Sequence, residues 1–114
     1  MIPAAVGYVR VDSAGAAVAA LAEHGDDAKV LAGGQSLIPL MKLRLATPGV
    51  LVDVGGIDDL RGVTVGGATV SIGAMPNHST LEHSPELAEA CPLLARVASM
   101  VGDPAVRHRG TIGG

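Results

Sequence analysis

The sequence predicts an α+β protein, with an α/β portion over residues 1–54 built on a small parallel sheet and the start of an antiparallel portion over residues 55–114. Three observations carry this. Strand-like and helix-like segments alternate as far as Val54, the order that gives a parallel sheet with right-handed crossovers. The run Val50-Leu51-Val52-Asp53-Val54 is almost continuously β-branched, as in a strand covered on both faces. After Gly55-Gly56 the pattern changes, and Val63-Thr64-Val65 and Thr69-Val70-Ser71-Ile72 alternate around Gly66-Gly67, which signals a hairpin.

Each element has its own reason. Val6 to Val11 is short and β-prone. Asp12-Ser13 then offers an N-cap for a helix from Ala14 to His24, which Gly25 ends. Ala14, Val18 and Leu21 share one face of that helix, and its alanines suit close packing on a neighbour. Asp26-Asp27 makes a polar turn before a second strand, Ala28 to Ala32. An apolar segment from Leu37 to about Leu45 has Lys42 and Arg44 near its end, where cations favour the helix dipole, and Pro48-Gly49 stops it. Ile57 to Leu60 reads as one helical turn. Beyond the hairpin, short helices are expected over His78–His83, Pro85–Ala90 and from Pro92 to about Val101, the last with Leu94, Ala98 and Val101 as a buried stripe. The tail Asp103 to Gly114 reads as a basic cluster leading into a glycine-rich turn, an ending that suggests an N-terminal piece of a longer protein.

The turn between Leu31 and Leu37 is the first candidate site. Gly33-Gly34 allows positive φ and leaves no Cβ in the way of a ligand. Gln35 or Ser36 can cap the following helix, and Pro39 falls in its first turn, where a missing N–H costs little. Free amides at such a turn suit a phosphate. The pattern matches neither a P-loop nor G-x-G-x-x-G, and on local chemistry alone a structural turn is the commoner reading.

Composition narrows the function. A chain of 114 residues is one domain or part of one, and a core is available to it. With no Trp, no Phe and a single tyrosine, Tyr8, base stacking on single-stranded nucleic acid is poorly supported. The net charge of −3 argues against duplex binding. Cys91 is the only cysteine, so no intrachain disulfide can form and this chain's thiolates can build no zinc site or iron–sulfur cluster. No stretch reaches membrane-spanning length and no leader is visible, so a soluble, cytoplasmic protein is expected.

Two motifs together carry a specific resemblance. Ala32-Gly33-Gly34-Gln35-Ser36-Leu37-Ile38-Pro39-Leu40-Met41-Lys42-Leu43-Arg44-Leu45-Ala46-Thr47-Pro48, followed by Arg107-His108-Arg109-Gly110-Thr111-Ile112-Gly113-Gly114, resembles the FAD-binding subunit of molybdenum hydroxylases, nearest to the medium subunit of the aerobic carbon monoxide dehydrogenase family. Ile72-Gly73-Ala74 and Gly102-Asp103-Pro104 fit the same pattern. The resemblance implies a truncated FAD-binding domain of the PCMH type, with FAD as cofactor. It places Ala32, Gly33, Gly34, Gln35, Ser36 and Leu37 in a first phosphate-binding loop and Thr111, Ile112, Gly113 and Gly114 in a second. Gln35 stands where relatives often carry histidine. The implied partners are a molybdenum-cofactor large subunit and a small subunit with 2Fe-2S centres, and the implied role is electron transfer through FAD to an external acceptor. The segments that meet the flavin ring lie beyond this chain in the family, so the chain alone is expected to bind FAD weakly and not to catalyse.

Other residues have plainer readings. His24, His78, His83 and His108 show no metal-ligand spacing and suit surface or capping roles. No catalytic residue and no metal ligand is assigned. Cys91 reads as a small core residue, and Asp26-Asp27 and Asp58-Asp59 read as turn residues. Arg107 and Arg109 suit either a steering role toward a pyrophosphate or a solvated turn. Two other functions fit the residues: a truncated, non-catalytic remnant, and a phosphate- or nucleotide-binding module without redox activity.

Overall fold

A parallel sheet organises the first of the two units in the computed structural model, which describes residues 2–114 and divides into Met1–Asp59 and Leu60–Gly114. Strands β1 (Gly7–Arg10), β2 (Ala28–Leu31) and β3 (Val50–Asp53) lie in the order β1-β3-β2, with β3 parallel to both neighbours. The β-branched run therefore takes the central place. Leu51, Val52 and Val54 are buried, and each such side chain contributes about 1.5–3 kcal/mol when fully removed from water.

Helix α1 (Ala14–His24) starts on Ser13, whose hydroxyl accepts the Ala16 N–H at 3.0 Å, and ends on Gly25 at φ 58°. Its buried face differs from the expected one. Ala17 and Ala20 are buried, Leu21 is half-buried, and Val18 is 66% exposed. The smallest side chains face inward because they allow the closest approach to β2 and β3, the strands that α1 touches.

Helix α2 (Leu37–Lys42) is shorter than expected and is not stopped by Pro48-Gly49. Arg44 adopts a left-handed conformation at φ 55°, and the Arg44 and Leu45 amides donate back to the Met41 and Leu40 carbonyls at 3.0 and 2.9 Å. This is a Schellman ending with arginine where glycine usually stands. Of this apolar segment only Met41 is buried within α2.

In the second unit, β4 (Val63–Gly66) and β5 (Thr69–Ile72) form the expected antiparallel hairpin, and Gly67 supplies the positive φ that the two-residue loop requires. Helices α3 (His78–Glu82), α4 (Pro85–Ala90) and α5 (Pro92–Ala98) follow. Leu81, Leu87 and Ala98 form the buried centre, with Val63, Val70, Ile72, Cys91 and Leu94 packed against it. Cys91 thus packs with the core. Helix α5 stops short of Val101, because the Met100 and Val101 amides tighten onto the Val97 and Ala98 carbonyls before Gly102 turns the chain at φ 51°.

The basic cluster of the tail is helical, and the glycine-rich turn follows it. Helix α6 (Pro104–Arg109) has Asp103 as its N-cap, with Oδ1 accepting the Val106 N–H at 2.9 Å, proline in its first turn, and Arg107, His108 and Arg109 in its last. Those cations sit where the helix dipole favours them.

Candidate functional site

The first loop follows directly from β2. Leu31, Asp53 and Arg10 are register partners at the carboxyl ends of the three strands, the edge of a parallel sheet where ligands bind. Gly34 takes φ 79°, and a Cβ there would lie 2.8 Å from Ile38 Cδ1. The Gly34 carbonyl accepts the Ile38 N–H at 3.1 Å, which ties the turn to the start of α2.

Neither Gln35 nor Ser36 caps α2 with its side chain, a departure from expectation. Ser36 itself sits at φ −103°, ψ −44°, near helical values and outside the extended geometry in which a serine hydroxyl reaches back to the third amide. Two consequences follow. The Ser36 hydroxyl makes no capping hydrogen bond, and the amides from Gly33 through Leu37 have no protein acceptor among the described residues. Gln35 and Ser36 are exposed, and Gly33, Gly34 and Leu37 are half-buried. Such a run of unpaired donors is what an anion requires.

A cluster that sequence reasoning missed stands at the same sheet edge. The Tyr8 hydroxyl donates to Asp53 Oδ2, the Gly55 N–H donates to Asp53 Oδ1 at 2.8 Å, and Arg10 Nη1 lies 3.8 Å from Oδ2. Burial pushes the Asp53 carboxyl up, but the Tyr8 hydroxyl, the Gly55 amide and the Arg10 charge together hold it below its ordinary value. The Tyr8 phenol is pushed up, first by its hydrogen bond to Asp53. The cluster compensates a carboxylate that would otherwise stand uncompensated at the sheet edge from which the loop departs.

Its pH dependence has a definite sign. Asp53, with a depressed folded value, contributes stability that is present above the ordinary carboxylate range and lost as pH falls through the folded value, below about pH 4. Tyr8, with a raised folded value, contributes stability that is present below about pH 10 and lost as pH rises through that value. Tyr8→Phe is therefore expected to lower the melting temperature at pH 7, with a difference that narrows in acid. It also abolishes the alkaline loss, and melts from pH 2 to 11 check both limbs.

The second loop lies in the second unit, against the segment that precedes α3. Asn77 and Thr111 form an antiparallel bridge, flanked by the His78 N–H to the Gly110 carbonyl at 3.0 Å and the Ile112 N–H to the Pro76 carbonyl at 3.1 Å. The Gly113 N–H donates to the Ala74 carbonyl at 2.8 Å. The Ile112 and Gly113 amides are thus engaged by the scaffold. What the loop leaves open is Thr111. Its N–H has no protein acceptor among the described residues, and its Oγ1 is buried without a partner.

Arg107 points elsewhere. Its Nε lies 3.2 Å from Glu82 Oε2 as an ion pair not aligned for a hydrogen bond, and its Nη1 donates to the Val101 and Gly102 carbonyls at 3.3 and 3.1 Å. It holds α6 to α3 and to the turn that follows α5, whereas Arg109 is exposed. The His83 ring meets the Ser79 carbonyl at 2.9 Å, a local contact within one helical turn. Among the described residues no group of three or more His, Cys, Asp or Glu could hold a metal ion, and no helix is long and apolar enough to cross a membrane.

A turn of amides without protein acceptors at the edge of a parallel sheet suits an anion, and comparison with known proteins gives the family of the domain. Residues 4–114 match the FAD binding domain in molybdopterin dehydrogenase. The carbon monoxide dehydrogenase medium chain of Hydrogenophaga pseudoflava is 51% identical over 114 residues, covering 100% of this chain and 40% of that one. The alpha subunit of the 6-hydroxypseudooxynicotine dehydrogenase complex of Paenarthrobacter nicotinovorans is 40% identical, covering 100% of this chain and 38% of that one. The solved structure of the Hydrogenophaga pseudoflava carbon monoxide dehydrogenase lacking the Mo-pyranopterin moiety superposes with a TM-score of 0.98 at 51% identity, covering 100% of this chain and 40% of the other. The chain belongs to the family of FAD-binding domains in molybdopterin dehydrogenases, and FAD is its cofactor. It spans about 40% of the length of the carbon monoxide dehydrogenase medium chain it matches.

Proposed function

We propose that the chain holds the phosphates of FAD in an electron-transfer subunit of a molybdenum-containing hydroxylase of the carbon monoxide dehydrogenase type. The single observation that carries this reading is the run of amides from Gly33 through Leu37 without a protein acceptor, on a turn that Gly34 shapes at φ 79°. Ala32, Gly33, Gly34, Gln35, Ser36 and Leu37 form the first phosphate-binding loop. Thr111, Ile112, Gly113 and Gly114 form the second. Within the second loop Thr111 supplies the amide and the hydroxyl, while Ile112 and Gly113 hold the loop in place. The two loops belong to the subdomains over residues 1–54 and 55–114.

Backbone amides and hydroxyls bind phosphate oxygens without a dedicated cation, which suits a chain of net charge −3. The chemistry that the bound flavin supplies is electron transfer, from the 2Fe-2S centres of a small subunit to an external acceptor, with the molybdenum chemistry on a large subunit. This chain's residues bind and orient; none of them is assigned a proton or a covalent step. The relatives named above are a chain of carbon monoxide dehydrogenase and a subunit of a dehydrogenase complex, which supports a place in such an assembly; the cytoplasm is the compartment proposed for it.

The test is an FAD titration of the 114-residue chain followed by flavin fluorescence, with ADP as competitor. Saturable binding that ADP competes supports the reading. A folded chain with no affinity for FAD overturns it and favours a remnant, and preference for another nucleotide favours a different phosphate-binding module.

A further inference from the structure

The side chain of Asn77 joins two parts of the second unit that are far apart in sequence. Its Oδ1 accepts the Thr80 N–H and the Thr80 hydroxyl, each at 2.8 Å, and so caps α3. Its Nδ2 donates to the His108 carbonyl at 3.0 Å, across 31 residues. That carbonyl lies in the last turn of α6, where the helix offers it no amide. Asparagine does both with two separate atoms, because one end of its amide accepts and the other donates, whereas an aspartate cap has no donor.

Asn77 also stands opposite Thr111 in the antiparallel bridge, with its neighbours Pro76 and His78 holding Ile112 and Gly110. The chain between the latched His108 carbonyl and the bridged Thr111 is two residues long, Arg109 and Gly110. So short a connection leaves little freedom, and the latch sets where α6 ends and therefore where Thr111 begins. From this geometry we infer that Asn77 is a positioning residue for the FAD phosphate site: it caps α3 with one atom and, with the other, fixes the register in which the second glycine loop presents Thr111. The inference rests on the FAD reading above and adds to it a residue outside both loops.

The two functions of the side chain can be separated. Asn77→Asp keeps an N-cap acceptor for Thr80 but replaces the donor with an oxygen facing the His108 carbonyl. Thr80→Val removes one cap-side hydrogen bond and leaves the latch intact. Both variants and the unsubstituted chain are compared by circular dichroism, by amide hydrogen exchange at Ile112 and Gly113 read by NMR, and by FAD titration. The expected result is a folded Asn77→Asp chain whose Ile112 and Gly113 amides exchange faster and whose affinity for FAD falls about tenfold, the effect of losing one well-placed hydrogen bond. Thr80→Val is expected to match the unsubstituted chain in exchange and affinity.

Unchanged exchange or unchanged affinity in Asn77→Asp overturns the inference and leaves the FAD reading standing. So does an equal loss of affinity in Thr80→Val, which would make the cap and not the latch responsible. An Asn77→Asp chain that does not fold assigns the residue to the fold and overturns the inference as well. No FAD binding by the unsubstituted chain overturns the FAD reading itself, and the inference with it.

Discussion

Gly34→Asp is expected to leave the chain folded and to weaken FAD binding by about a hundredfold or more. The cost to the fold is small for two reasons. At φ 79° a residue with a Cβ pays about 1–2 kcal/mol, and aspartate is among those that tolerate the left-handed region best. The nearest obstacle to the new Cβ, 2.8 Å away, is the tip of Ile38, a side chain that is 41% exposed and free to rotate aside. The cost to binding is larger. The carboxylate stands among amides that have no protein acceptor and can take them for itself. It also faces the phosphates: like charges about 5 Å apart repel by about 3 kcal/mol at an effective dielectric constant of about 20, which corresponds to about a hundredfold in affinity. Gly34→Ala separates the terms, since it carries the backbone strain without the charge. Flavin fluorescence titrations of both variants, with circular dichroism as the check on folding, give the answer. If Gly34→Asp binds FAD as the unsubstituted chain does, the first loop is not a phosphate cradle.

How this loop was legible, and how much else was not, follows from the range of the forces involved. The alternation up to Val54, the central β3 and the Gly66-Gly67 hairpin rest on local signals, and they stand in the structure as expected. The fold matches that of the carbon monoxide dehydrogenase medium chain, as the paired motifs implied. The α2 ending was hidden because Arg44, and not a glycine, takes the left-handed position of the Schellman motif. Helix α6 had a readable signal in Asp103-Pro104, an N-cap followed by proline, but Arg107, His108 and Arg109 read as a basic cluster before the glycine-rich turn. The buried face of α1 was misread because Val18 outweighs alanine in any hydropathy count, whereas packing against a sheet rewards small side chains. Tyr8 and Asp53 lie 45 residues apart and meet only through the parallel register of β1 and β3, which no local pattern encodes. The same holds for Asn77 and His108, brought together by the docking of the tail.

Gly113→Ala is expected to weaken FAD binding tenfold to a hundredfold by a route that charge plays no part in. A Cβ at Gly113 would lie 2.5 Å from Ala74 Cβ and 2.7 Å from both Ala74 Cα and Ala74 O. Those are backbone atoms and a methyl group, and none can rotate aside. The loop must lift away, which gives up the Gly113 bond to Ala74 and the Ile112 bond to Pro76, about 1 kcal/mol each net. Because the loop follows α6 and the buried centre is Leu81, Leu87 and Ala98, the lifting is local, and the helices are expected to stay folded. Hydrogen exchange should rise at Ile112 and Gly113 and remain slow at Leu81 and Leu87. Gly66→Ala serves as the control, since a Cβ there meets nothing within 4 Å. Ionic strength then distinguishes the two glycines. Salt shortens the Debye length from about 10 Å at 0.1 M to about 3 Å at 1 M, so added salt should restore part of the affinity lost in Gly34→Asp and none of that lost in Gly113→Ala. Equal recovery in both would mean that the second loop acts through long-range charge, and the geometric role assigned to Gly113 would be wrong.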